Sequence, residues 1–243
     1  MVNDIGESAL RTPSKRSKAA GPPNLVLTTG TVEALKWLGL VPMTIDHVNK
    51  YLLHEAMPAL YAVGRLTMPI FAFVLAYNLA RPDALARGVY RRVAMRLASV
   101  GAIASVPFIA LGGLGWGWWP LNIMGMLLVA TVCAWLLELG GRWRVALAVG
   151  VFVVGGSSVE FWWPGVAACL CAWSYCRRPS WLMLGSWVAS IAALYVINRN
   201  PWALAALPLI FAAAHVDVKL PRIRHLFYVY YPAHLAVLWL ISR

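Results

Sequence analysis

PALYAVGRLTMPIFAFVLAYNLA, residues 58–80, decides the fold: it is an apolar stretch with a single charged residue, Arg65. An α-helix needs about 20 mostly apolar residues to cross the roughly 30 Å hydrocarbon core, whereas a barrel strand needs about 10 that alternate. Further apolar runs of helical length follow the same rule at 31–52, 92–111, 119–139, 143–158, 160–176, 180–197, 201–216 and 226–242. The reading is an all-α, polytopic transmembrane helical bundle of about nine spans (eight to ten), of the bacterial inner-membrane type. Composition agrees, because a chain of 243 residues that is 61% hydrophobic and 12% charged, with 13 Trp and a mean hydropathy of +0.69, has too little polar surface for a water-soluble domain.

Proline placement refines the runs. Pro58, Pro120, Pro179, Pro201 and Pro221 stand at or near boundaries, where a missing amide donor costs least. Pro42, Pro69, Pro107, Pro164, Pro208 and Pro232 fall within runs or near their ends and are expected to kink helices or line cavities. Cys133, Cys169, Cys171 and Cys176 lie in apolar runs without paired ligand spacing and read as packing residues rather than a metal site. No internal repeat is apparent.

Residues 1–29 are rich in Pro, Ser, Thr and Gly and lack apolar periodicity, which reads as a disordered, basic cytoplasmic tail with no secretory signal. The segment Thr28, Thr29, Gly30, Thr31 supplies N-cap candidates for the first helix, with Glu33 expected in its first turn, at the positive end of the helix dipole.

The net charge of +12 raises the question of nucleic acid, and the placement of the charges answers it. With the tail inside, sixteen of the twenty-one basic residues fall on one side: Arg11, Lys15, Arg16, Lys18, Arg81, Arg87, Arg91, Arg92, Arg96, Arg142, Arg144, Arg177, Arg178, Lys219, Arg222 and Arg224. Lys50, Arg199 and Arg243 fall on the other. This is the loop bias of a membrane protein with a cytoplasmic N-terminus, and for an odd number of spans it puts the C-terminus outside.

Lys36 and Arg65 are left within helices, where a charge costs at least about 2.5–3.5 kcal/mol near the bilayer centre. Lys36 is close enough to the cytoplasmic interface to snorkel back to it; Arg65 would have to reach about two turns. Lys36 and His47 are eleven positions apart, which returns both to one helix face. Asp46 points about 100° from His47 on a regular helix and orients that imidazole only if the helix end unwinds; otherwise it is a solvated terminus. His234 lies well inside the last run, as a core hydrogen-bonding residue or a catalytic one, whereas His54, His215 and His225 read as interfacial. At 1.5 Å per residue, Lys36, His234, Arg65 and His47 stand about 8, 12, 20 and 24 Å above the cytoplasmic face, a polar ladder suited to two-sided access. Arg92 and Arg96, four apart among Arg87, Arg91 and their neighbours, suit phosphate binding, though anchoring to anionic lipid accounts for them as well.

Four strings carry a resemblance: EALKWLGLVPMTIDHVNKYL (33–52), YAVGRLTMPIFAFVLAYNLAR (61–81), WPLNIMGMLL (119–128) and FYVYYPAHLAVLWLI (227–241). They resemble the TraX family, which includes the F-pilin acetylase and is similar to TrbP-type conjugal transfer proteins. The resemblance runs from about residue 30 to the C-terminus and makes 30–243 a transmembrane acyltransferase-like domain. The family is in turn similar to membrane acyltransferases that decorate surface glycans, whose first helix carries a basic residue and a His with ten residues between them, matched here by Lys36 and His47. Lys36 stands where Arg is commoner, and lysine lacks the bidentate fork.

The resemblance implies an integral membrane N-acetyltransferase that moves acetyl from acetyl-CoA to the N-terminal amine of a pilin subunit. In that reading His47 is the general base with Asp46 its neighbour, Arg65 stabilises the oxyanion, His234 supports the site or protonates the leaving thiolate, and Lys36, Arg92 and Arg96 guide CoA. The expected partners are pilin and membrane lipid, with neither metal nor nucleic acid. A non-enzymatic pilin-assembly scaffold and a small-solute transporter are the competing classes, the latter disfavoured by the lack of repeated halves.

Overall fold

The computed structural model describes residues 21–112, 114–223 and 225–243; Arg11, Lys15, Arg16, Lys18 and Arg224 lie outside the described residues. The described chain is helical throughout, apart from one isolated bridge between Leu121 and Val159. In order come α1 (Thr29–Tyr51), α2 (Pro58–Gly64), α3 (Thr67–Leu79), α4 (Val89–Leu111), α5 (Ile123–Leu139), α6 (Arg142–Ser158), α7 (Trp162–Arg177), α8 (Trp181–Ala192) and α9 (Tyr195–Asn198). A 3₁₀ turn (Trp202–Ala205), α10 (Ala206–Ala213) and α11 (Leu226–Ile241) complete the bundle. Each apolar run of the sequence coincides with one of these helices or with a consecutive pair.

Local chemistry explains the boundaries. Thr28 caps α1 by accepting a hydrogen bond from the Thr31 amide at 3.2 Å. The helix therefore begins at Thr29, and Glu33 stands beyond its first turn, where it pairs with Lys36 instead of serving the helix dipole. α2 and α3 are separated at Arg65 and Leu66, whose amides form i−3 bonds to Ala62 and Val63. Pro69 supplies the reason: it has no N–H to offer the Arg65 carbonyl, so the regular ladder cannot run through this point.

Pro58–Leu79, Val89–Leu111 and Trp181–Asn198 are long and apolar enough to cross a membrane, with shorter apolar helices at Ile123–Leu139, Trp202–Ala213 and Leu226–Ile241. The outer surface is apolar too: Val106 and Leu182 are 70% and 73% exposed, and Ile103, Val196 and Leu240 are similarly bare. Large apolar side chains exposed in such number mark a lipid-facing or protein-facing surface.

Hydrogen bonds sort the connecting segments into two ends. At one end, Asn49 brackets Met57 through its amide and carbonyl at 3.1 Å each, Leu121 and Glu160 are joined backbone to backbone, and Tyr61 donates to the Asn198 carbonyl. At the other, the Thr31 hydroxyl donates to the Val216 carbonyl, Tyr90 donates to Leu79, and Arg177 pairs with Glu138. Residues 21–28, the described part of the stretch read as tail, are held at this second end. The Leu27 backbone exchanges hydrogen bonds with the Tyr77 hydroxyl at 2.9 and 3.1 Å, Tyr175 donates to the Pro23 carbonyl, and the Leu25 and Leu27 side chains are buried. Ordered chain thus begins before residue 29, because two leucines find apolar cover there.

Candidate functional site

Two cavities lie along α1, one towards each end. The outer one, about 210 Å³, is lined by Asp46, His47, Lys50 and Tyr51 of α1, by Glu55, by Tyr61, Gly64 and Arg65, and by Glu160 and Tyr231. The inner one, about 440 Å³, is lined by Lys36, Asn78, Arg81, Arg87, Arg92, Arg96 and Arg222 together with Phe71, Leu75, Leu127, Phe227 and Tyr228. Met43, Ile123 and Tyr231 line both, so one layer of side chains separates them. Their charges differ sharply: six basic and no acidic side chains line the inner cavity, whereas Asp46, Glu55 and Glu160 face Lys50 and Arg65 in the outer one.

His47 and His234 are bonded to each other at the outer end. His234 Nδ1 lies 3.0 Å from the Tyr230 carbonyl oxygen, which can only accept, so Nδ1 carries the proton. In the neutral ring Nε2 is then the acceptor, and it lies 2.6 Å from His47 Nδ1, which therefore donates. The two rings are parallel to within 2°. By elimination the hydrogen-bond network leaves the free lone pair of the pair on Nε2 of His47, and His47 lines the cavity. His234 is buried and lines neither cavity, so it backs His47 and does not reach into either space. The ladder of heights expected from the sequence is corrected here: His234 and His47 stand at one level, not about 12 Å apart, because the helices do not start from a common plane.

Arg65 is fixed by its surroundings. Its Nη2 pairs with Asp46, its Nη1 donates to Asn198 Oδ1 at 3.3 Å, its Nε donates to the Tyr61 carbonyl at 3.2 Å, and its guanidinium lies 4.1 Å from the Tyr61 ring centroid. Three of the five guanidinium N–H groups are thereby used, leaving two for a ligand. α1 remains helical to Tyr51, so Asp46 does not turn to His47; it anchors Arg65. Gly64 permits this contact, since a Cβ there would collide with the Asp46 side chain.

Lys36, Arg92 and Arg96 come together in the inner cavity, joined by Arg81, Arg87 and Arg222; Arg91 does not line it. Lys36 is held by Glu33 at 2.6 Å and lies 5.4 Å from the Phe227 ring centroid. His54, His215 and His225 are exposed, in keeping with an interfacial position.

Glu160 was not legible as a site residue. It sits in the α6–α7 linker, where its amide donates to the Leu121 carbonyl at 2.8 Å and the Leu121 amide donates to Ser158 at 2.9 Å. The two residues that follow, Phe161 and Trp162, are left-handed at φ 60° and 45°, a conformation that costs bulky side chains about 1–3 kcal/mol each. Burial pushes the Glu160 carboxyl up to about 7, against the opposing pull of Lys50 and Arg65. Its signal in the sequence is that no other acid occurs between Glu138 and Asp217. Among the described residues no group of three or more His, Cys, Asp or Glu is placed to hold a metal ion.

The family model described as TraX protein matches residues 31–242. A Protein TraX of Escherichia coli is 27% identical over 233 residues, covering 90% of this chain and 90% of its own. A second, from Escherichia coli (strain K12), is 28% identical over 132 residues, 54% of this chain and 50% of its own. An uncharacterized protein of Rickettsia prowazekii (strain Madrid E) is 40% identical over 50 residues, 21% of this chain and 20% of its own. No solved structure matches. The family match spans α1 to α11 and takes in every side chain of both cavities, and the chain belongs to the TraX family.

Proposed function

We propose that this protein is an inner-membrane acetyltransferase that moves acetyl from cytoplasmic acetyl-CoA to the N-terminal amine of a conjugative pilin subunit. One observation carries the reading: a cavity with six basic side chains and no acidic one lies back to back with a cavity holding an imidazole with a free lone pair. The phosphates of a CoA thioester suit the inner cavity, where Arg92, Arg96 and Arg222 offer planar donors and Lys36 adds a point charge. The acyl end would approach His47 past Met43, Ile123 and Tyr231.

In this mechanism His47 Nε2 takes the proton from the attacking amine, while its Nδ1–H remains bonded to His234 and keeps the ring in the required tautomer. Arg65, locked by Asp46 and Asn198, offers its two remaining N–H groups to the oxyanion that forms on the thioester carbonyl. Nine crossings with the N-terminus inside would put the inner cavity at the cytoplasmic face, where acetyl-CoA is available, and the outer one towards the periplasm. Mass spectrometry of the pilin co-expressed with this protein tests the proposal. A gain of one acetyl group at the pilin α-amine supports it; a pilin that is bound yet unmodified assigns the protein to the scaffold class.

A further inference from the structure

Of the acids near the outer cavity, Asp46 is committed to Arg65, and on the inner side Glu33 is committed to Lys36. Glu160 and Glu55 make no ion pair within 4.0 Å among the described residues; Glu55 is exposed, whereas Glu160 is half-buried in the same cavity as His47 with its backbone clamped to Leu121 on the other side of the linker. Asp46, Lys50 and Tyr51 face the cavity with it from α1, Glu55 from the following linker, Tyr61 and Arg65 from α2 and its end, and Tyr231 from α11. Lys50, Tyr51 and Glu55 also line a wider cavity at the outer surface, which gives a peptide terminus a way in.

An α-amine has a pKa of about 7.7–8.0, so it arrives near neutral pH mostly as an ammonium, with no lone pair to attack with. It must lose one proton before attack and a second as the amide forms. His47 has one free lone pair and accounts for one of them. We infer that Glu160 is the carboxylate that receives the acceptor's ammonium beside His47 and takes its first proton. This rests on the acetyltransferase reading and names the residue that recognises the acceptor. In balanced form, the ammonium gives a proton to the Glu160 carboxylate and becomes the neutral amine. Its nitrogen then bonds to the thioester carbonyl carbon, and the second proton passes to His47 Nε2. The C–S bond breaks with its electron pair on sulfur, and the His47 proton goes to that thiolate. Glu160 finally releases its proton to the outer solution.

The test uses the purified full-length protein, acetyl-CoA, a short synthetic peptide with a free α-amine, and its des-amino analogue. Glu160→Gln should raise the KM for the amine peptide at least tenfold at pH 7 and leave the KM for acetyl-CoA unchanged. Its kcat/KM should climb about tenfold per pH unit up to the amine's own pKa, because only the neutral amine then serves. The wild type should turn over at lower pH, and Glu160→Asp should recover part of the loss. By calorimetry without acetyl-CoA, the wild type should prefer the amine peptide to the des-amino analogue and Glu160→Gln should not. A Glu160→Gln protein with the wild-type amine KM, pH profile and binding preference would overturn the assignment while leaving acetyl transfer intact. A wild type that binds the amine selectively through Glu160 but transfers no acetyl would instead overturn the enzymatic reading and keep the ammonium site.

Discussion

His47 donates from Nδ1 to Nε2 of His234 across 2.6 Å, although 187 positions separate them in the chain, and this bond decides which nitrogen of His47 is free to act as a base. His234→Phe removes the acceptor and allows His47 to adopt the other tautomer. Acetyl transfer should fall at least about tenfold, with the KM for acetyl-CoA little changed, because His234 lines neither cavity. Steady-state kinetics on purified protein checks this, and a rise in donor KM alone would place His234 in donor binding.

The inner cavity predicts a separable donor phenotype. Arg92→Ala with Arg96→Ala should raise the KM for acetyl-CoA about tenfold or more while kcat and membrane insertion stay near wild type, since both arginines line that cavity and neither lines the outer one. Unchanged donor affinity in the double variant would return these residues to topology and lipid anchoring.

Gly64→Ala tests the packing that sets Arg65. The added methyl meets the Asp46 side chain, and overpacking of this kind costs about 1–3 kcal/mol, so thermal stability in detergent should drop along with activity. A variant with wild-type melting and full activity would show that α1 and α2 can separate without cost.

Reporter fusions test the orientation. A fusion at residue 20 should report cytoplasm and one at the C-terminus periplasm, from the sixteen-to-three distribution of basic residues between the two sides. A C-terminal reporter active only in the cytoplasm would mean that one span is miscounted, with the short runs between 143 and 176 the first to re-examine.

Much of the helical architecture was readable because a membrane-crossing helix needs a set length of apolar residues, and the apolar runs of the sequence coincide with the helices. Residues 58–80, the Thr28 cap and the interruption ahead of Pro69 all follow from rules that act within one or two turns. Lys36, Arg92 and Arg96 stand out in the sequence because charge at a membrane boundary is conspicuous, and the structure gathers them in one cavity. Long-range relations were not readable. Nothing in spacing sets His234 level with His47, or turns Asp46 from a solvated terminus into the partner of Arg65, since each depends on how separate helices are offset. Glu160 sits at a run boundary, where an acid looks solvated; only the Leu121 bridge and the left-handed Phe161 and Trp162 bring it to the cavity.

The most direct test is the acetylation rate of His47→Gln in purified membranes, set beside His54→Gln. Gln fills similar space but cannot accept and hold the proton, so transfer should fall by about a hundredfold or more while insertion and pilin binding persist. His54, exposed in the α1–α2 linker, should be nearly silent when replaced. Full acetyl transfer by His47→Gln would contradict the assignment of the base and, with it, the mechanism drawn from the His47–His234 pair.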